Sequence, residues 1–289
     1  MIAQDFKDKI VKIQKNEFTE YIIYKKLASF VKDEHNRRIL EKISHDEQAH
    51  YEFWKRLTQQ EVAPSRIKAF FYSFVSRLCG LTFGLKLMER GEERAQDAYV
   101  QLKQAVPDIE KIIQDEDVHE DYLLNLIDED RLKYISSIVL GLNDALVELT
   151  GALAGLTFAL QNTKLVALIG FITGIAASLS MAASEYLSTK QEETEKNPFK
   201  ASIYTGVAYI ATVLFLISPY LIFQNIFFCL SVMIVYALFV ILIFTYYVSV
   251  AKGLAFKKRF LEMAGISVSV AVASFFIGFV VRAVFGIEV

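Results

Sequence analysis

The stretch E-K-I-S-H-D-E-Q-A-H at residues 41–50 returns at residues 110–119 as E-K-I-I-Q-D-E-D-V-H, with six of the ten positions identical. Both copies contain Glu-x-x-His. Because residues i and i+3 lie on one face of a helix, each copy presents a carboxylate and an imidazole in the same direction. Two such helices side by side predict a metal site with the candidate ligands Glu47, His50, Glu116 and His119.

Two pairs of glutamates precede the two copies at matching places in the sequence. Glu17 and Glu20 precede the first copy, and Glu89 and Glu92 precede the second, each pair at i,i+3 spacing. A four-helix metal site takes one glutamate from each of its other two helices. The sequence leaves open which member of each pair binds. The alternative is that these residues lie on solvated helix faces, but a duplicated unit with matched glutamates favours the metal site.

This pattern resembles the rubrerythrin-type ferritin-like domain over residues 1–131. The resemblance implies a four-helix bundle that holds two iron ions, with Glu47 and Glu116 bridging them and each histidine binding one ion. The same ligand types also suit Mn(II). Rubrerythrins often append a cysteine-rich electron-transfer module, which we do not expect here because the chain has only two cysteines.

The second half of the chain differs sharply from the first. All four histidines precede residue 131, whereas the chain from Tyr134 onward is mainly apolar. A helix needs about 20 apolar residues to cross the hydrocarbon core of a bilayer. Five segments qualify: 134–160, 164–188, 200–222, 225–250 and 261–285. We therefore predict an all-α fold with a ferritin-like bundle over residues 1–131 and a five-span transmembrane domain over residues 132–289.

The distribution of lysine and arginine predicts the orientation. These residues favour the short cytoplasmic loops of membrane proteins. The loops after spans two and four carry most of the positive charge of this half, at Lys190, Lys196, Lys200, Lys252, Lys257, Lys258 and Arg259. The bundle is therefore expected in the cytoplasm and the C-terminus outside, in the plasma membrane of a prokaryote. No secretory signal is recognised at residues 1–10.

Residues 67–78, between the two copies, are too apolar for an ordinary surface loop and too short to span a bilayer. Their aromatic residues and the flanking Arg66, Lys68 and Arg77 suit a helix at the lipid headgroup boundary. A connector packed into the protein core is the alternative. The sequence does not decide between them.

Four potential ligands lie within the first two spans. Asp144 and Glu148 are at i,i+4 in the first span, and Met181 and Glu185 have the same spacing in the second. Carboxylates at this depth are rare without a partner or a pathway. They can bind a divalent transition metal, and protons compete for the same carboxylates. We predict that these four residues line a transport pathway.

The two spans resemble the vacuolar iron transporter family. The matching residues are Gly141, Asp144, Gly151, Met181, Glu185 and Tyr186. The resemblance implies a homodimer that exports cytosolic Fe(II), and often Mn(II), in exchange for protons. The small-residue face of the first span, which includes Gly151 and Gly155, also suits close helix packing. Ala145 departs from the glycine of many members, and residues 190–200 are too short for the glutamate-rich insert of the eukaryotic type.

Two hypotheses of function follow. The first is a membrane exporter of Fe(II) or Mn(II), coupled to protons, whose bundle captures or senses the metal. The second is a membrane-anchored di-iron ferroxidase or peroxidase. Carboxylates inside the spans favour transport, because an anchor needs none. The expected partners are the metal ions, protons, membrane lipid and a second copy of the chain, with no nucleic acid.

Overall fold

The computed structural model describes residues 4–88, 106, 109–126, 133–192 and 196–285, and within these ranges the protein is helical, with no strand. The N-terminal helices are α1 (Gln4–Phe30), α2 (Glu34–Thr58), α3 (Arg66–Cys79), α4 (described over 81–88) and α5 (Ile109–Asn125). The membrane helices are α6 (Ile135–Leu160), α7 (Thr163–Gln191), α8 (Pro198–Ile222), α9 (Ile226–Ala251) and α10 (Phe256–Phe285). The predicted all-α fold is confirmed.

The chain divides into two compact units, Met1–Glu129 and Asp130–Val289. In the first unit, α1 packs against α2 and α3, and α2 also contacts α5. Apolar residues between these helices are fully buried, among them Ile23, Leu27, Leu40, Ile43 and Trp54. The first unit therefore has its own core. Residues 89–105, which follow α4, lie outside the described residues.

The segment that joins α1 to α2 fixes where α2 begins. The side chain of Asp33 accepts a hydrogen bond of 2.8 Å from the backbone N–H of Asn36, as an N-cap does. At the other end, Gln59 adopts a left-handed conformation (φ 54°) and closes the helix. The Glu-x-x-His unit of α2 therefore lies on one uninterrupted helix.

The second unit contains the five helices that are long and apolar enough to cross a membrane. Asparagine caps start three of them: the side chains of Asn162, Asn197 and Asn225 accept hydrogen bonds from the first backbone N–H groups of α7, α8 and α9. The connections are short, and many large apolar side chains of these helices point outward, as they do in a bilayer. The predicted set of five spans is confirmed.

The small-residue face of the first span packs within the same chain. A β-carbon at Gly151 would lie 2.8 Å from Val270, and one at Gly155 would lie 2.9 Å from the carbonyl oxygen of Ser274. A β-carbon at Gly278 would collide with the carbonyl oxygen of Gly155. These contacts bring α6 and α10 close together. The face is therefore used inside one chain and does not by itself argue for a dimer.

Candidate metal centre and intramembrane carboxylates

Three helices of the first unit bring the predicted metal ligands together. α1 contributes Glu17, α2 contributes Glu47 and His50, and α5 contributes Glu116. One ligand atom from each of these four residues lies within 4.8 Å of all the others. Glu17, Glu47 and His50 are buried, and His119 of α5 is only 3% exposed. With the half-buried Glu116, these residues form a largely buried group of acidic side chains and imidazoles.

Glu47 and Glu116 each face both histidines. The two carboxylate oxygens of Glu47 lie 3.7 Å from Nδ1 of His50 and 3.4 Å from Nδ1 of His119. The two oxygens of Glu116 lie 3.4 Å and 3.8 Å from the same two nitrogens. The imidazole rings are 5.9 Å apart, centre to centre. Each carboxylate therefore lies between the two histidines, with one oxygen facing each imidazole.

The outer nitrogen of each histidine is held by an aspartate from the opposite helix. Nε2 of His119 lies 3.1 Å from Asp46, and Nε2 of His50 lies 3.4 Å from Asp115. Such carboxylates fix the ring orientation of a metal-binding histidine and raise its basicity. Sequence reasoning did not assign these aspartates, although both are among the six identical positions of the repeat.

Glu17 and Glu20, the two candidates before the first copy of the repeat, differ in burial and contacts. Glu17 is 1% exposed, and one of its oxygens lies 3.6 Å from Nδ1 of His50. Its other oxygen accepts a hydrogen bond of 3.1 Å from Nε1 of Trp54. Glu20 is half-buried, and the group formed by the described residues does not include it. Glu89 and Glu92, the candidates before the second copy, lie outside the described residues.

Burial and mutual proximity shift the protonation of the group. Burial, reinforced by the facing Glu116, raises the pKa of Glu47 to about 8. Burial also raises the pKa of Glu116, but the attraction of the nearby His119 and His50 outweighs it and lowers the pKa to about 2. Burial lowers the pKa of His119, but Glu116 and Glu47 outweigh it and raise the pKa to about 10. The pKa of His50 lies above its ordinary value because Glu116, Glu17 and Glu47 likewise outweigh its burial. The metal-free group therefore holds protons at neutral pH.

The arrangement fits metal ions. Oε2 of Glu47 and the Nδ1 atoms of His50 and His119 are buried and have no hydrogen-bond partner among the described residues. Their separations from the facing ligand atoms, 3.4–3.8 Å, exceed the roughly 2.7–3.2 Å of an N–H···O hydrogen bond. Ligands of one ion lie about 3 to 4 Å apart, since each is about 2.0–2.2 Å from the metal. Carboxylates and imidazoles suit iron and manganese.

In the membrane unit, two of the predicted pathway carboxylates accept hydrogen bonds from neighbouring helices. Glu148 accepts a bond of 2.9 Å from the hydroxyl of Tyr209 on α8. Glu185 accepts one of 2.5 Å from the hydroxyl of Ser137 on α6. Asp144 is half-buried and lies on α6 between Ser137 and Glu148. Sequence reasoning did not identify Tyr209 or Ser137.

The four pathway candidates are spread along the helices. Glu185 is level with Ser137, which is eleven residues, or about 16 Å of helix, from Glu148. Glu148 and Glu185 of one chain therefore cannot bind the same ion. Met181, one turn from Glu185, packs against the apolar core of the unit. The four candidates therefore form a series along the helices rather than one cluster.

A cavity of about 490 Å³ in the membrane unit reaches Glu148. Its lining includes Glu148, Tyr209, Thr173 and Ser274, and small or apolar residues of α6, α7 and α10 complete the wall. The polar groups are few among mostly apolar side chains. The cavity therefore gives Glu148 an open volume beside it, within the span.

The structure and its sites define an integral membrane protein with a buried carboxylate and histidine group in its first unit. Residues 135–195, which cover α6, α7 and the start of the next loop, match the model of the VIT family, the vacuolar iron transporters. The matched stretch contains all four predicted pathway residues. No curated protein matches the chain. The family match indicates membrane transport of a metal ion such as iron.

Proposed function

We propose that the protein exports Fe(II), and also Mn(II), from the cytosol in exchange for protons, and that its N-terminal unit captures or senses the metal. The observation that carries this proposal is the family match over residues 135–195, which includes carboxylates at Asp144, Glu148 and Glu185 within the spans. Intramembrane carboxylates are costly and mark ion pathways. The positive charge of the loops after spans two and four supports a cytoplasmic position of the N-terminal unit.

The series of ligands suits a hopping route. Glu185, at the level of Ser137, lies about three turns of α6 from Glu148, and Asp144 lies between these two levels. An ion that binds weakly at each level can move on to the next. Protons that bind the same carboxylates in turn would return in the opposite direction. A homodimer, as in the resembling family, would supply a second set of these residues.

The N-terminal unit is proposed to be a ferritin-like bundle that holds two ions. Glu47 and Glu116 would bridge them, His50 and His119 would each bind one, and Glu17 would bind the ion beside His50. Glu89 or Glu92 would be the equivalent of Glu17 at the other ion. The unit would load metal in the cytosol, before transport.

Flux measurements on full-length protein in liposomes test the transport proposal. We expect wild-type protein to carry Fe(II) and Mn(II) faster when a gradient drives protons in the direction opposite to the metal. The flux of an Asp144→Asn plus Glu185→Gln variant should fall to the rate of protein-free liposomes. Glu262→Gln, at an exposed glutamate of α10, is the matched control and should transport normally. A correctly folded double variant with near-normal flux would refute the pathway.

The role of the N-terminal unit is tested in the same full-length protein. A Glu47→Gln plus Glu116→Gln variant should transport normally at high metal concentration and more slowly at limiting metal. Glu52→Gln, at an exposed position of α2, is the control. Equal flux from both variants at all concentrations would contradict a capturing role.

A ferroxidase or peroxidase activity of the N-terminal unit is the second candidate function. It is favoured by a cavity of about 540 Å³ lined by His50, Phe53 and Asp115, which gives small molecules access to the histidine. A bound pair of iron ions can exchange electrons with oxygen or peroxide. Peroxide consumption by the iron-loaded protein, lost in the Glu47→Gln plus Glu116→Gln variant, would support this function alongside transport.

A further inference from the structure

Helix α3 presents an unusual surface for a helix outside the five candidate membrane spans. Its large apolar side chains point outward, although the core of the unit is immediately behind it. We call these residues the outward face of α3, with exposed fractions of Ile67 84%, Phe70 67%, Phe71 50%, Phe74 54% and Leu78 64%. Scattered exposed apolar residues are ordinary, but a contiguous set of this kind marks an interaction surface.

The outward face is a single stripe with basic edges. At about 100° per residue, its five members fall within an arc of about 100°. Arg66 and Arg77 lie along one edge of the stripe and Lys68 along the other, and all three are exposed. No acidic residue occurs in α3. The helix therefore combines an apolar stripe with positive charge on both sides.

The opposite side of α3 is anchored to the protein by small residues. Ala69 and Ser76 are both 2% exposed, and Ala69 belongs to the core between α1 and α2. Ser76 packs so closely against α4 that a β-carbon at Gly84 would collide with its hydroxyl. The backbone N–H of Ser65, just before α3, donates a hydrogen bond of 3.0 Å to Thr19 of α1. Contacts on the opposite side of α3 therefore fix the helix so that the apolar stripe is exposed.

We propose that α3 lies on the bilayer surface, with its outward face in the boundary between headgroups and acyl chains and its basic edges on anionic lipid headgroups. An apolar face bordered by Lys and Arg is the composition of helices that lie in the plane of a membrane. The five spans of this chain keep the first unit tethered to a bilayer. Anionic lipids of the cytoplasmic leaflet attract basic residues near the surface. The proposal does not depend on which ion the protein transports.

The position of α3 can be read from the fluorescence of a tryptophan in the full-length protein. Phe74→Trp places the reporter in the centre of the outward face, and the wild-type signal of buried Trp54 is subtracted. The protein is reconstituted into vesicles of phosphatidylglycerol with bromine on the acyl chains, with iodide as the aqueous quencher. Leu57→Trp, at a 41% exposed leucine of α2, is the matched control.

We expect the bromolipid to quench the reporter at position 74 and the bilayer to shield it from iodide, whereas the control should show the reverse. Two changes should each reduce the lipid quenching by about twofold or more. One replaces the phosphatidylglycerol by phosphatidylcholine with the same brominated acyl chains, and the other combines Arg66→Gln, Lys68→Gln and Arg77→Gln. Lipid quenching that stays the same after both changes would overturn the role of anionic headgroups. Iodide quenching equal to that of the control would place α3 in water and overturn the proposal. Protection from both quenchers would show that protein, such as a second copy of the chain, covers the face, and would also overturn it.

Discussion

Nε1 of Trp54 donates a hydrogen bond of 3.1 Å to one carboxylate oxygen of Glu17, whose other oxygen lies 3.6 Å from Nδ1 of His50. The indole therefore fixes the orientation of a carboxylate that faces the candidate metal centre. Trp54 is also the only tryptophan of the 289-residue chain and is fully buried. Its fluorescence reports on this group of residues alone, even in the full-length membrane protein.

Glu17 and Glu20 should differ in their effect on metal binding. Glu17→Gln removes a negative ligand from the group, and we expect affinity for Mn(II) to fall by about tenfold or more. Glu20→Gln is the matched control and should bind as the wild type does, because Glu20 is not part of the group. Titration of Trp54 fluorescence with Mn(II) measures both. The reverse order of effects would assign the ligand to Glu20.

The aspartates behind the histidines should support metal binding without touching the ion. Asp46→Asn and Asp115→Asn keep the side-chain shape but weaken the hold on Nε2 of His119 and His50. We expect each to lower metal affinity by about 10- to 100-fold. Asp117→Asn, at an exposed aspartate of α5, is the control for both. Unchanged affinity in both variants would show that the aspartates are ordinary surface charges.

The stability of the metal-free first unit should fall as pH rises from about 6.5 to 10. The folded-state pKa of His119 is raised from 6.5 to about 10, so its stabilisation is complete below 6.5 and is lost as pH approaches 10. The pKa of Glu47, raised to about 8, acts in the same direction between 4.5 and 8. Glu116, with its pKa lowered to about 2, acts oppositely, but only below 4.5.

Thermal unfolding followed by Trp54 fluorescence, with and without Mn(II), measures this dependence. The metal must displace protons from His50, His119 and Glu47, so its stabilising effect should grow with pH over the same range. His35→Gln, at an exposed histidine of α2, should leave the profile unchanged. A metal effect that is constant from pH 6.5 to 9 would mean that the group binds metal without releasing protons.

Tyr209 should affect transport through Glu148. Tyr209→Phe keeps the ring but removes the hydroxyl that donates to Glu148. Because a hydrogen bond to a charged group contributes about 1.5–3 kcal/mol, we expect flux at limiting metal to change by about tenfold or more. Tyr236→Phe is the control, since the ring of Tyr236 stacks on Phe215 and should pack equally well without its hydroxyl. A normal flux at every pH in Tyr209→Phe would remove Glu148 from the rate-limiting part of the route.

Local sequence patterns predicted much of the fold. Apolar segments of sufficient length identified the five spans, because a bilayer imposes the same length on every crossing helix. The repeated Glu-x-x-His predicted that Glu47, His50, Glu116 and His119 lie close together, because helical spacing alone places each pair on one face. These features depend on neighbours along the chain, so the sequence contains them directly.

Contacts between distant segments could not be predicted in this way. Tyr209 is 61 positions from Glu148, and no spacing rule links them. The partner of Gly151 and Gly155 is α10 of the same chain, but a small-residue face has the same composition whether it packs within a chain or between two chains. The orientation of α3 likewise depends on which of its sides meets α1 and α4. In these cases three-dimensional packing, rather than local pattern, decides the outcome.

The crossed arrangement of the repeat makes its two halves interdependent. Asp46 of α2 holds the histidine of α5, and Asp115 of α5 holds the histidine of α2. A small separation of the two helices would therefore lengthen both Asp–His contacts at once, and would also move Glu47 away from Glu116. For the proposed pair of ions we expect cooperative binding, in which the first ion brings the two helices into the position that the second ion needs. A modest movement of α5 relative to α2 would then release both of the proposed ions together.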